Sequence, residues 1–230
     1  LRDTRRPAFR RAFSFGATIC EASGMTQHKL STVTAGDGVS LRLLHWRLPQ
    51  AKRQVVIVHG LGEHAGRYQQ TAEQLLALGC DVLAYDQYGH GKSQGKRGHL
   101  ATDDQILEHL RDVWRAIEPA APTRRILLGH SLGGLLAAAA VARGFVQPDA
   151  LVLSSPALAV DMAAWQRAAV RWLPRLAPNL TLGNGLNADY LSHDRRVVEA
   201  YRQDTLVHDR ICAWLGASVA NAGEQVLQQA

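Results

Sequence analysis

The chain has 230 residues, 47% of them hydrophobic, and a formal net charge of +6. That length suits one domain, or one domain with an insertion, and the apolar content is enough for a real core. Half of the net charge lies in residues 1–24, where Arg2, Arg5, Arg6, Arg10 and Arg11 face only Asp3 and Glu21. Basicity therefore does not describe the globular part, and with no nucleic-acid motif beside it the sequence argues against nucleic-acid binding.

In chain order, residues 1–24 are Arg-rich with an apolar patch (Phe13, Phe15, Ala17, Ile19) too short and broken for a signal peptide. They read as a flexible, non-native extension ahead of a start at Met25. Residues 28–35 alternate weakly, residues 41–48 are apolar, and Gly36-Asp37-Gly38 between them signals a turn, so an antiparallel hairpin is expected. Residues 55–58 are a fully apolar β run, as suits a strand buried on both faces. A Gly-rich turn, 59–68, and an amphipathic helix, 69–78, follow. A strand over 81–85 runs into the turn 86–93. A helix is expected over 103–117, capped by Thr102 and stopped by Pro119.

Next comes an apolar run from Arg125 into Gly129-His130-Ser131-Leu132-Gly133, then a helical pattern to about residue 144. This is G-x-S-x-G between a strand and a helix, the context in which the motif presents a serine nucleophile. A last strand is expected over 150–154. Strands alternating with helices define an α/β fold: a mostly parallel sheet of about six strands with helices on both faces. After Pro156 the alternation stops. A helix over 161–176 carries a stripe of Trp165, Ala168, Ala169, Trp172 and Leu176 beside Arg167, Arg171 and Arg175. The helix spanning Trp165 to Leu176 fits either peripheral membrane contact or a lid packed on the core. Pro174, Pro178, Gly183 and Gly185 then interrupt the chain, before a short helix over 195–202 and a longer one from 209 onward. The expected division is extension 1–24, core 25–155, helical lid 156–208 and returning helix 209–230.

Ser131 needs an oxyanion site. In a strand–turn–helix elbow one donor is the N–H of the following residue, Leu132, and the other comes from the turn after an earlier strand, here Leu61. The turn 86–93 is not a phosphate loop, because Asp86 stands where glycine is required. His59, His64, His90, His99 and His130 match no zinc spacing, so no metal is expected. The three cysteines (Cys20, Cys80, Cys212) form neither a disulfide framework nor a metal pattern, which favours a reducing, cytoplasmic location. No apolar run reaches the length of a membrane span; association with a membrane surface stays open.

Four segments together resemble the monoacylglycerol lipase and bacterial lysophospholipase family of α/β-hydrolases. They are His59-Gly60-Leu61-Gly62-Glu63-His64-Ala65-Gly66-Arg67-Tyr68, Tyr85-Asp86-Gln87-Tyr88-Gly89-His90-Gly91-Lys92-Ser93, Gly129-His130-Ser131-Leu132-Gly133-Gly134, and Ser192-His193-Asp194-Arg195-Arg196-Val197-Val198-Glu199-Ala200-Tyr201. The likeness runs from about residue 31 to about 226. Proline-iminopeptidase-type relatives share the elbow, but the segment 62–68 fits the lipase branch better. The resemblance implies an eight-stranded core, a helical lid after the sixth strand, and hydrolysis of a glycerol monoester through an acyl-enzyme, with no cofactor. It also implies that Glu63, Arg67 and His130 shape the alcohol end of the pocket.

The chain departs from this pattern in one respect. The fold supplies its triad in the order Ser, acid, His, and the last histidines, His193 and His208, lie in lid-type segments, as do Asp189, Asp194, Asp204 and Asp209. The expectation is therefore an incomplete α/β-hydrolase core, truncated at the C-terminus, whose triad acid and base are absent from the chain. The alternatives to a monoacylglycerol or lysophospholipid hydrolase are a catalytically incompetent fragment of one and a general carboxylesterase.

Overall fold

The computed structural model describes residues 28–117, 119, 123–159 and 164–229, except for the side chains of 164–167 and 169. The extension 1–24 and the side chain of Trp165 lie outside these residues. A six-stranded sheet has the order β1-β2-β4-β3-β5-β6. Its strands are β1 (Lys29–Thr34), β2 (Ser40–Trp46), β3 (Arg53–Val58), β4 (Cys80–Tyr85), β5 (Arg124–His130) and β6 (Ala150–Ser154). β1 and β2 form the expected antiparallel hairpin, β2 runs antiparallel to β4, and β4, β3, β5 and β6 are mutually parallel.

Strand alternation sorts the core into two clusters. Leu41, Leu43, Val56, Val58, Leu83, Tyr85 and Leu127 face one side, under α2 (Gln105–Ala116) and α3 (Leu132–Ala142). Leu44, Trp46, Val55, Ile57, Val82 and Ala84 face the other, under α1 (Gln69–Ala77). Both faces are thus covered, which is why β3 and β4 read as unbroken apolar runs. α3 is buried along residues 132–140; a helix so enclosed needs small, apolar side chains all round, and its alanine run supplies them.

Some boundaries differ from expectation. α2 begins at Gln105 with Asp104 at its N-cap, and no side chain caps it. Thr102 contributes only its carbonyl, which accepts from Gln105 N–H at 3.3 Å. A 3-10 turn, Ala65–Tyr68, precedes α1. α4 runs Ala164–Leu176 with Pro174 inside it, so this proline does not end the helix. The returning helix α6 starts later, at Ala213, and extends to Gln229. Residues before it form β8 (Arg210–Cys212), paired antiparallel with β7 (Thr181–Gly183) in a two-stranded sheet. α5 spans Arg195–Gln203.

Candidate active site

β5 lies beside β3 in parallel, with Val58 opposite Gly129, so the turns leaving the two strands must meet at the carboxyl edge of the sheet. Ligands bind at such an edge in open α/β sheets. Ser131 stands at the meeting point with φ 53° and ψ −119°. Few residues other than glycine adopt this backbone, and it turns the chain sharply from β5 into α3. The flanking glycines are required by contact. A Cβ on Gly129 would lie 2.3 Å from Gly133 O, and one on Gly133 would lie 2.1 Å from Val58 O. The first turn of α3 therefore sits directly over the end of β3. A Cβ on Gly60 would lie 3.3 Å from Ser131 Cβ, which places the 59–62 turn against the serine.

Gly60 is held at both its N–H and its C=O. Gly60 N–H donates to Glu63 Oε1 at 2.6 Å, and Gly60 O accepts from His59 Nδ1 at 2.8 Å. His59 Nε2 accepts from Gln87 N–H at 3.0 Å, so the proton of this ring is on Nδ1. Gln87 Nε2 in turn donates to His59 O at 2.5 Å. Across a trans peptide the N–H points opposite the C=O. Pinning Gly60 O thereby fixes the direction of Leu61 N–H. Among the described residues no hydrogen bond takes up Leu61 N–H or Leu132 N–H. Leu132 is the first residue of α3, where the helix has no internal partner for the donor and carries a partial positive charge. Burial depresses the pKa of His59, outweighing the attraction of Glu63 and Asp86. The ring stays neutral and keeps its two backbone bonds.

Glu63 braces the loop. It accepts from Gly60 N–H, from Tyr68 O–H at 2.8 Å and from Arg67 Nε at 3.3 Å. Burial, and then Glu63, push the Tyr68 hydroxyl pKa up, so it remains a donor. Arg67 also lies 4.6 Å over the Tyr201 ring. Glu63 and Arg67 thus already have protein partners, Glu63 within the loop and Arg67 in Glu63 and Tyr201. His130 points its Nδ1 at Ser154 Oγ, 3.0 Å away. Asp86 is fully buried and accepts from Ala65 N–H at 2.8 Å, Lys92 N–H at 2.9 Å and Arg42 at 3.3 Å. It ties the 86–93 turn to the 3-10 turn that continues the 59–62 loop. His59, Gln87 and Asp86 were not singled out as site residues from the sequence. The only signal was a buried-type polar residue directly after each apolar strand.

Among the described residues no side chain hydrogen-bonds Ser131 Oγ, and no group of His, Cys, Asp or Glu could hold a metal ion. His208 packs on His90, with ring centroids 4.7 Å apart, and its Nδ1 accepts from Arg210 N–H at 3.1 Å, while its Nε2 is buried without a hydrogen-bond partner among the described residues.

A strained serine between strand and helix, over a mostly parallel sheet covered on both faces, defines an α/β-hydrolase. Residues 49–230 match the serine aminopeptidase S33 family of these hydrolases, and the chain belongs to that family. It is 39% identical over 180 residues to the monoacylglycerol lipase of Mycolicibacterium smegmatis, covering 76% of this chain and 64% of that protein. It is 33% identical over 183 residues to the human monoglyceride lipase, covering 74% of this chain and 58% of that protein. The chain thus spans about three-fifths of the length of these curated relatives. Among solved structures, the monoacylglycerol lipase of Paleococcus ferrophilus superposes with a TM-score of 0.72 at 33% identity, over 89% of this chain and 73% of that one. A soluble variant of the Saccharomyces cerevisiae monoglyceride lipase, in complex with a substrate analog, superposes with a TM-score of 0.78 at 16% identity, over 88% of this chain and 70% of that one, which speaks to the fold alone.

Proposed function

We propose that the protein built on this core hydrolyses monoacylglycerol or lysophospholipid-type carboxylic esters, with Ser131 as nucleophile. The observation that carries this reading is the backbone of Ser131, held in a conformation serine disfavours, beside two uncommitted N–H groups. In this reading Ser131 Oγ attacks the acyl carbonyl carbon and its proton passes to a base. The carbonyl oxygen becomes an oxyanion and accepts from Leu61 N–H and Leu132 N–H. The base then protonates the departing alcohol as the C–O bond breaks, leaving an acyl-enzyme that water hydrolyses to the carboxylic acid. The base is not among the described residues around Ser131. The reading assigns His130 to the pocket wall and the Glu63–Arg67 pair to holding the loop, with any contact to the alcohol group made from that position. The relatives' names supply the ester class, and no cofactor or metal enters the scheme.

The test is p-nitrophenyl butyrate and monoacylglycerol turnover by the whole protein built on this core and by its Ser131→Ala variant. A loss of at least about a hundredfold in the variant is expected. Equal turnover in both overturns the assignment.

A second reading rests on α4 and the turns after it. Trp172 is 55% and Leu176 80% exposed, and Leu180, Leu182 and Leu186 are exposed beyond them. Arg171 and Arg175 flank the Trp172 ring at 5.7 and 5.6 Å. The C-terminal half of the helical stripe therefore does not pack on the core. Apolar side chains bordered by arginines suit an anionic lipid surface, and we assign this face to peripheral membrane contact. Among the described residues no helix is long and apolar enough to cross a membrane. Trp172→Ser with Leu176→Ser should weaken sedimentation with phosphatidylglycerol vesicles about tenfold; unchanged sedimentation removes the membrane reading.

A further inference from the structure

Residues 204–212 form a strap between α5 and α6, a turn at 204–207 and then extended chain, laid across the loops at the carboxyl edge of the sheet. Two glycines make room for it. A Cβ on Gly62, at φ +76°, would lie 2.2 Å from His208 O, and one on Gly98, at φ +68°, would lie 2.3 Å from Arg210 O. Two backbone bonds fasten it there: His208 N–H donates to Gly62 O at 2.9 Å, and Cys212 N–H donates to Gly98 O at 2.8 Å. One side-chain bond adds to them, from His64 Nε2 to Asp204 Oδ2 at 2.8 Å. His64 Nδ1 accepts from Gly66 N–H, so its proton is on Nε2. Two of these three ties end on the 59–68 loop that carries the Gly60–Leu61 peptide.

The strap meets the core through histidines. His208 stacks on His90, and His90 lies 5.2 Å from His59. Backbone groups fix their protons. His90 Nδ1 donates to Tyr88 O at 2.8 Å, His59 Nδ1 donates to Gly60 O, and His208 Nδ1 accepts from Arg210 N–H. Adding a proton to His208 would set an N–H against the Arg210 N–H. It would also place a cation beside Arg97, whose guanidinium is held by Gly89 O at 3.3 Å and Gly91 O at 2.9 Å. His90 Nε2 is buried with no hydrogen-bond partner among the described residues, so no acceptor is waiting there for a new proton. Asp209 and the Gly89 backbone favour a charge on His208, while His59 opposes it; Glu63, Asp86 and His64 act on His59 instead.

We propose that residues 204–212 are a proton-released latch, in which protonation of His208 undocks the strap from the 59–68 loop. Burial, followed by Arg97, holds the His208 pKa down to about 4 in the docked state. In the undocked strap the ring returns to an ordinary pKa of about 6.5. Undocking then takes up a proton between these two values, so the docked state is favoured above pH 6.5 and loses ground as pH falls toward 4. For one histidine the opening equilibrium rises about 25-fold between pH 7 and pH 5. Any effect on Leu61 N–H and on ester turnover rests on the function proposed above; the undocking itself does not.

Hydrogen-exchange mass spectrometry of the whole chain at pH 7 and pH 5, with rates corrected for intrinsic chemistry, tests this. His208→Asn is the comparison, since its Oδ1 reproduces the acceptor at Nδ1 and takes no proton. In the wild type the peptides covering 59–66 and 204–212 should lose about 25-fold protection between the two pH values. The variant should change by less than about twofold, with β5 and α3 unchanged in both proteins. Equal loss in wild type and variant, no loss in either, or loss shared with β5 and α3 overturns the latch. If the variant is already undocked at pH 7, the wild-type His208 ring proton resonances decide: a shift with a midpoint near 6.5 overturns the proposal, and a ring neutral to below pH 5 supports it. Neither measurement uses a substrate, so an inactive Ser131 and a failed latch are told apart.

Discussion

Ser131 carries its own cost. A non-glycine residue at φ 53°, ψ −119° is strained by about 1–3 kcal/mol. Replacing it with glycine relieves that strain and returns part of the gain by loosening the unfolded chain. Ser131→Gly should therefore raise the unfolding free energy by about 1 kcal/mol in urea, although it removes the hydroxyl; a loss of stability would show that the elbow is not strained. The elbow was legible in the sequence because its spacing states a steric fact. Only glycine at 129 and 133 lets α3 cross the end of β3. His59 was not legible as a positioning group, because its partner is the backbone N–H of Gln87. That contact depends on β4 lying beside β3, and no local pattern reports which strands are neighbours.

At the scale of elements, the β1–β2 hairpin is fastened to α2 through its turn. Asp37 Oδ2 accepts from Gln105 Nε2 at 3.0 Å and His109 Nε2 at 2.9 Å, and Gly36 N–H donates to Asp112 Oδ2 at 2.8 Å. Gln105, His109 and Asp112 recur at helical spacing, so one polar stripe of α2 grips the turn. Burial acts to raise the Asp37 pKa, but the hydrogen bonds from Gln105 and His109 outweigh it and hold the carboxyl at about 2. A depressed pKa adds stability above the unfolded value near 3.8 that is lost as pH falls through 2. The Asp37 side chain is 38% exposed, so solvent screening limits the gain to about 1 kcal/mol. Asp37→Asn should unfold about 1 kcal/mol more readily than wild type at pH 6, with the gap closing from pH 4 toward pH 2 in urea titrations; a gap independent of pH removes the charge from the explanation. The hairpin and α2 were each readable from apolar patterning and the Gly36-Asp37-Gly38 turn, but their attachment was not. The ribbon of β7 and β8 was missed for another reason. Strands of three residues, 181–183 and 210–212, are too short to show a period.

For the whole molecule the salient surface is β6. Among the described residues it ends the sheet, its residues 150–154 are all exposed, and Leu151, Val152 and Leu153 are at least 36% exposed. Apolar strands with unpaired backbone groups invite pairing with other chains. Val152→Lys should reduce self-association measured by light scattering at raised concentration, since a charge on an edge opposes such pairing; unchanged scattering would mean that another surface drives it. The same strand bears on the chemistry. Ser131 N–H donates to Ser154 O at 3.0 Å, and Ala157 N–H donates to Ser131 O at 3.1 Å, so the end of β6 and the residues just after it clasp the serine's backbone from both sides. Sheet edge and Ser131 therefore share backbone hydrogen bonds. A partner that pairs with β6 and shifts Ser154 alters how Ser131 receives a ligand, and a ligand at Ser131 must alter that pairing by the same factor.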